Sequence, residues 1–259
     1  MVSKWMTRFA LLTLAISVAA CGGKEETDPD TPTPPEMQQS DVETPGEYQV
    51  ITVSDGGSVS GTVTFDGEVP EAEIVAITKD PEACGNKKEI RTIVVGAGGG
   101  LSGAVVYLED IGKGKDFSDG TGSVDQKKCE YTPFIQGIKK GTKLEILNSD
   151  PALHNIHAYL GNKTLFNQAQ NAGGPPLNMK MKKAGAVELK CDVHSWMQSW
   201  IFVSDHPYFH VTGDDGAFEL TDVPAGTYKL KAWHPELDSQ DASVEVAAGG
   251  TASHDFTFQ

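Results

Sequence analysis

Residues 186–203 read AVELKCDVHSWMQSWIFV. The two ends of this stretch, Ala186–Lys190 and Trp200–Val203, are short runs rich in apolar and β-branched or aromatic residues, the composition of paired strands. Between them a tight loop carries Cys191, His194 and Met197 within seven residues, so a thiolate, an imidazole and a thioether leave the chain at one point. Working outward, Val59–Phe65, Arg91–Val95, Ala104–Leu108, Thr142–Leu147, Ala217–Leu220, Tyr228–Trp233 and Ala242–Val246 have the same character. Each is short, has period two and is bounded by Gly, Pro, Asp or Asn. No long stretch has helical period. Many short strands separated by turn signals predict an all-β protein built of sandwiches, and about two hundred folded residues suit two such modules.

The loop lacks a second strong nitrogen ligand. The segment Asn148-Ser-Asp-Pro-Ala-Leu-His154-Asn-Ile-His157, at the end of another predicted strand, supplies it. Two imidazoles, one thiolate and a weak axial thioether form the ligand set of a mononuclear blue-copper electron-transfer site. Zinc is the competing ion, but Met is a poor zinc ligand. A dinuclear copper centre needs a second bridging Cys in the loop, and Cys191 is the only Cys there. Taken singly, a buried Cys, Met or His is ordinary core; the reading rests on their combination.

Residues from about Glu130 to Val203 resemble a cupredoxin of the amicyanin or plastocyanin type. The shared pattern is Gly141-Thr-Lys-Leu, Asn148, His154-Asn155-Ile-His157, Ala184-Gly185 and then C-x-x-H-x-x-M from Cys191 to Met197. The resemblance implies a Greek-key sandwich with copper on His154, Cys191, His194 and Met197, and Asn155 bracing the two ligand loops. Strand alternation turns His157 to the face opposite His154. Trp196 and Trp200 stand beside the ligands; in that family the surface around the C-terminal His is apolar and receives partners, which gives Trp196 either a docking or a core role. Two positions depart from the family pattern: Leu189 stands where an aromatic is usual, and Gln198 where Gly often follows the Met.

Thr212–Trp233, with its Asp214-Asp-Gly216 and Pro224-Ala-Gly226 turns, resembles the second half of a carboxypeptidase regulatory-like domain, a small sandwich of immunoglobulin or transthyretin type. The first half is absent downstream and has its counterpart upstream, in Gly61–Pro70 and Gly103–Leu108. The expected division is therefore 1–20 signal peptide, 21–56 acidic tether, 57–111 first strands of the immunoglobulin-like sandwich (or the cupredoxin's own N-terminal strands), 112–204 cupredoxin and 205–259 the remaining half sandwich. His206, His210, His234 and His254 lie in or near the last part, without the helix that would give the His206/His210 spacing meaning. Gly98-Gly-Gly-Leu-Ser-Gly103 matches G-x-G-x-x-G, but a dinucleotide site needs a helix next and a strand follows.

The compartment is set at the start. Lys4 and Arg8 precede an apolar run that ends in Val18-Ala19-Ala20-Cys21, a secretory signal that resembles the lipobox of bacterial lipoproteins, in which Cys21 carries the lipid. The formal charge is −15, and becomes −17 once Lys4 and Arg8 leave with the signal, a balance that repels nucleic acid and is compatible with a basic partner or with none. Gly22–Gly56 is rich in Pro, Thr and acids, the composition of an extended tether. In an oxidising compartment three cysteines remain; Cys191 stands among ligands, which leaves Cys84 and Cys129 to form a disulfide. No catalytic constellation is found, so the chain is not read as an enzyme. The expected role is electron transfer on the periplasmic side of an outer membrane, with a redox partner such as a c-type cytochrome or dehydrogenase. Copper trafficking or resistance, and a structural lipoprotein with a vestigial site, are the competing roles.

Overall fold

The computed structural model describes residues 47–117 and 121–259. The signal, Cys21 and the tether up to residue 46 lie outside the described residues. Among these residues the chain is all β, with a single helical turn at Pro81–Cys84, and it forms two β-sandwiches.

The first sandwich holds the predicted ligands. One sheet has the order Tyr131–Thr132, Gly122–Gln126, Lys143–Asn148, Leu177–Lys180. The other has the order Ile135–Lys139, Gln198–Ser204, Gly185–Lys190, His154–Leu160, Lys163–Gln170. Period-two alternation turns Val124, Leu144, Ile146, Ile156, Ala158, Val187, Leu189 and Ile201 into a common core, each large side chain contributing about 1.5–3 kcal/mol for full burial. Leu189, where the family resemblance leads one to expect an aromatic, is fully buried there. The loop that carries Cys191, His194 and Met197 is the connection between Gly185–Lys190 and Gln198–Ser204, which are paired antiparallel from Gly185↔Val203 to Lys190↔Gln198.

The second sandwich has one sheet of order Phe209–Val211, Val105–Glu109, Gly226–His234, Leu237–Val246, and another in which Gly57–Phe65 lies between Ala217–Val223 and Thr251–Ser253 and also pairs with Phe256–Phe258. Its core includes Val59, Val63, Leu101, Val106, Leu108, Phe218, Leu220 and Leu230. Both upstream strands thus hydrogen-bond to strands beyond residue 208.

Two stretches differ from the sequence expectation. Arg91–Val95 is strand only at Val94–Val95, which pairs with Leu101–Ser102 around a turn in which Gly98 and Gly99 take φ of 109° and 86°, values open to glycine. The segment between Phe65 and Val94 makes a hairpin, Glu73–Ala76 against Lys87–Ile90. Its loop does not join the second core: Ile77 and Cys84 are buried in the first.

Candidate metal centre

His154 opens the strand His154–Leu160 at the edge of the first core. The turn before it is shaped by Asn148, whose side-chain amide donates to the carbonyls of Ala152 (2.9 Å) and Gln170 (3.0 Å) and whose Oδ1 accepts from Asp150 N–H at 3.1 Å. This brings the Asp150 carboxylate to 2.9 Å from His154 Nε2. Asp150 is buried and also accepts from the backbone N–H groups of Lys128 (2.5 Å) and Cys129 (2.7 Å), two successive amides of the kind that stabilise a buried anion.

The second loop is closed by its own backbone: Met197 N–H donates to the His194 carbonyl at 3.0 Å. His194 Nδ1 lies 2.9 Å from His154 Nδ1 and 3.9 Å from Cys191 Sγ. One ligand atom each from His154, Cys191 and His194 falls within 4.8 Å of the others. All three residues are buried, as is Met197, whose side chain packs in the same core. Met197 also lines, with Tyr131, Phe134 and Trp196, a cleft of about 480 Å³ that passes the loop.

Asn155 spans the two loops. Its Oδ1 accepts from Asp192 N–H at 2.6 Å, and its amide donates to Asn167 Oδ1 and Asp192 Oδ2. Tyr131 Oη donates to the Asn155 carbonyl at 2.6 Å. His157 stands away from the cluster, with Nδ1 3.1 Å from Asp192 Oδ1 and Nε2 3.0 Å from Thr164 Oγ1.

The electrostatics favour a thiolate beside imidazole. Burial pushes the Cys191 thiol up, but hydrogen bonds from His154 and from the amides of Asn155, His194 and Val193 outweigh it and hold the thiol below its ordinary value. Burial pulls His154 down, and its bonds to Cys191 and Asp150 reverse this, so it is raised. His194 is lowered, chiefly by burial, against the pull of Asp80. With each Nε2 facing a carboxylate, a neutral ring donates outward and presents a bare lone pair inward. Two such lone pairs 2.9 Å apart repel unless a proton or a cation lies between them.

Cys84 and Cys129 are joined by a disulfide, and Cys191 is free and buried. The disulfide borders the cluster: Cys84 Sγ is 3.8 Å from His194 Nε2. His194 is not a surface ring. Its exposure is 0%, and Asp80 Oδ2 lies 3.0 Å from its Nε2. Trp196 packs against the same ring at 5.0 Å and donates its indole N–H to the Cys129 carbonyl at 3.0 Å, so the expected docking face around His194 is covered. Trp200 packs on Trp233 of the second sandwich at 5.5 Å. Two neighbours of the site are absent from the sequence reading. Asp150 has a local signal, an Asn-Ser-Asp-Pro turn just before His154; Asp80, 114 residues from its partner, has none. Among the described residues, His206, His210, His234 and His254 join no group of three or more metal-capable side chains.

A family model described as polysaccharide lyase family 4, domain II, matches residues 180–254, a β-sandwich relationship for that part of the chain. No curated protein matches. Among solved structures, the chain is similar to a Cu-containing nitrite reductase from Thermus scotoductus, with 19% identity and a TM-score of 0.31 over 36% of this chain and 24% of the reductase. It is similar to a purple cupredoxin from Nitrosopumilus maritimus, with 24% identity and a TM-score of 0.29 over 32% of this chain and 99% of that one. A reduced amicyanin variant gives 23% identity and a TM-score of 0.30 over 34% and 87% of the two chains. The chain spans about a quarter of the reductase's length. These are partial overlaps.

Proposed function

We propose that the chain is a copper-binding electron-transfer protein, with one mononuclear ion held by His154, Cys191, His194 and Met197. The observation that carries this reading is the meeting of one thiol and two imidazole nitrogens within 4.8 Å, from two separate loops, in a buried cluster. The donor set is right for the ion: soft sulfur suits Cu(I), and imidazole suits both oxidation states. Bound there, copper would supply reversible one-electron chemistry. The chain's own residues do the rest. Asn155 ties the loops together, hydrogen bonds from His154 and the backbone amides hold the Cys191 thiol below its ordinary value, and the apolar core around Leu189 and Ile156 excludes water. Full burial of His154, Cys191 and His194 favours retention of the ion over rapid handover, and so favours electron transfer over trafficking. The partner is expected to be basic, because the chain is strongly acidic, and to approach on the side where Trp196 and Met197 line the cleft. The proposal includes export and lipid attachment at Cys21, with this module held at the periplasmic side of an outer membrane.

The test uses protein extracted from membranes, with the mass of its N-terminal peptide, its visible absorption and its copper EPR recorded beside Cys191→Ser. The expected result is a lipid-modified Cys21 and an intense blue or purple thiolate-to-copper band, lost in the variant. A colourless protein, or colour that survives Cys191→Ser, overturns the copper reading. An unmodified N-terminus overturns the anchor alone.

A further inference from the structure

The imidazole at the tip of the ligand loop is sealed by a segment that strand pairing assigns to neither sheet of its own sandwich. Residues 77–86 form the loop of the hairpin Glu73–Ala76/Lys87–Ile90, closed by Ile77 N–H to the Asn86 carbonyl at 3.0 Å. Within it Asp80 precedes the helical turn Pro81–Cys84. An Asp at that place ordinarily caps the turn with its side chain. Here the side chain makes no cap bond, and only the Asp80 carbonyl joins the turn, accepting from Ala83 and Cys84 N–H at 3.0 and 2.9 Å. The residue adopts φ 51°, ψ 45°, a left-handed conformation uncommon for any residue but Gly, Asn or Asp. The carboxylate thereby reaches His194 Nε2 at 3.0 Å.

We propose that Asp80 is the positioning residue for His194, carried by a cover that the Cys84–Cys129 disulfide latches over the metal centre. The arrangement is matched on the other side. His154 Nε2 is held by Asp150, and Asp150 also accepts from Cys129 N–H. The disulfide therefore links the carriers of the two carboxylates that aim the two rings. A carboxylate accepting from Nε2–H keeps the proton on that nitrogen, so Nδ1 turns its lone pair towards Cys191 and His154. The Asp80 carboxylate contacts only Nε2 of His194, the nitrogen turned away from Cys191 and His154, and acts through that ring.

This inference rests on the copper reading for its purpose but not for its test. Asp80→Gly removes the carboxylate while tolerating the left-handed backbone, and Asp80→Asn restores an acceptor. Nitrogen-15 NMR of the copper-free protein should show His194 protonated at Nε2 in the wild type, a mixed tautomer in Asp80→Gly, and partial recovery in Asp80→Asn. In copper-loaded protein, loss of the ion to a Cu(I) chelator should be roughly 10–100-fold faster in Asp80→Gly, the usual scale for removing an outer partner of a ligand. The double variant Cys84→Ser/Cys129→Ser keeps all four ligands, and its His194 should become reactive to diethylpyrocarbonate. A His194 ring spectrum identical in wild type and Asp80→Gly overturns the positioning role, and a ring that stays unreactive in the double variant overturns the latch. Wild-type protein that binds no copper overturns the proposed function instead, and leaves the tautomer measurement to decide the role of Asp80.

Discussion

A buried imidazole away from the proposed copper site shows how the interior sets protonation. His234 ends the strand Gly226–His234 in the second sandwich and is 1% exposed. Burial pulls its pKa to about 4, against a backbone hydrogen bond with Ser102 that favours the charged form. Its Nδ1 accepts from Glu236 N–H at 3.3 Å, a bond that the neutral ring can make. In the unfolded chain the same group titrates near 6.5. Between those values the unfolded chain takes a proton that the folded one refuses, and stability falls as pH drops from about 6.5 towards 4, by on the order of 3 kcal/mol for this residue. His234→Gln keeps a donor and an acceptor but cannot titrate. Urea unfolding at pH 7 and pH 5 should show a smaller loss for the variant than for wild type; equal losses would mean that His234 is protonated, or solvated, in the native state.

Strands differ in how much room they leave one another, and Gly57–Phe65 leaves the least. It is the middle strand of its sheet, and a Cβ placed on Gly61 would lie 1.8 Å from the His254 carbonyl oxygen. That oxygen cannot swing aside, because His254 N–H is bonded to the Ser60 carbonyl at 3.1 Å and Asp255 Oδ1 accepts from Thr62 N–H at 2.7 Å. Gly61→Ala is therefore expected to cost about 3 kcal/mol, the upper part of the overpacking range, measured by chemical denaturation. A cost under about 0.5 kcal/mol, typical of an exposed site, would show that the strand can part from Thr251–Ser253. The alternation of this strand, Val59 and Val63 inward, is legible in the residues themselves, as are Leu144 with Ile146 and the loop from Cys191 to Met197. Elements lacking a buried face are not. Lys163–Gln170 lies at a sheet edge with only Gln170 fully buried, so it has no period to detect. Glu73–Ala76 and Lys87–Ile90 pair with each other alone, and what fixes them is a disulfide and Asp80, contacts over 45 and 114 residues that leave no local pattern.

At the scale of the whole molecule, the arrangement turns on where the chain leaves one sandwich and where it comes back. Val105–Glu109 and Phe209–Val211 are antiparallel neighbours, with Val105 opposite Val211 and Tyr107 opposite Phe209. They are the two arms of one hairpin whose connection, residues 110–208, contains the sheets of the first sandwich. A connection that returns to its starting point can be lengthened at little cost to the host. The two bodies then meet through rings: Tyr107 and Phe202 at 4.9 Å, Phe202 and Phe209 at 5.7 Å, Trp200 and Trp233 at 5.5 Å. On this reading the carboxyl-terminal sequence is half a domain. Val59, Val63, Leu101, Ala104, Val106 and Leu108 have 0% exposure in the second sandwich, and all come from upstream of the first. At about 1.5–3 kcal/mol for each large side chain, their removal takes away roughly 10 kcal/mol, as much as the whole stability of an ordinary domain. The fragment 205–259 on its own is therefore expected to be unfolded, with collapsed amide dispersion in its proton–nitrogen NMR spectrum. Adding a separate peptide spanning residues 47–111 should restore dispersion, because that peptide carries both missing strands. A fragment 205–259 that folds unaided would show that Gly57–Phe65 and Val105–Glu109 are dispensable to it, and would return those strands to the first sandwich or to a linker between two independent modules.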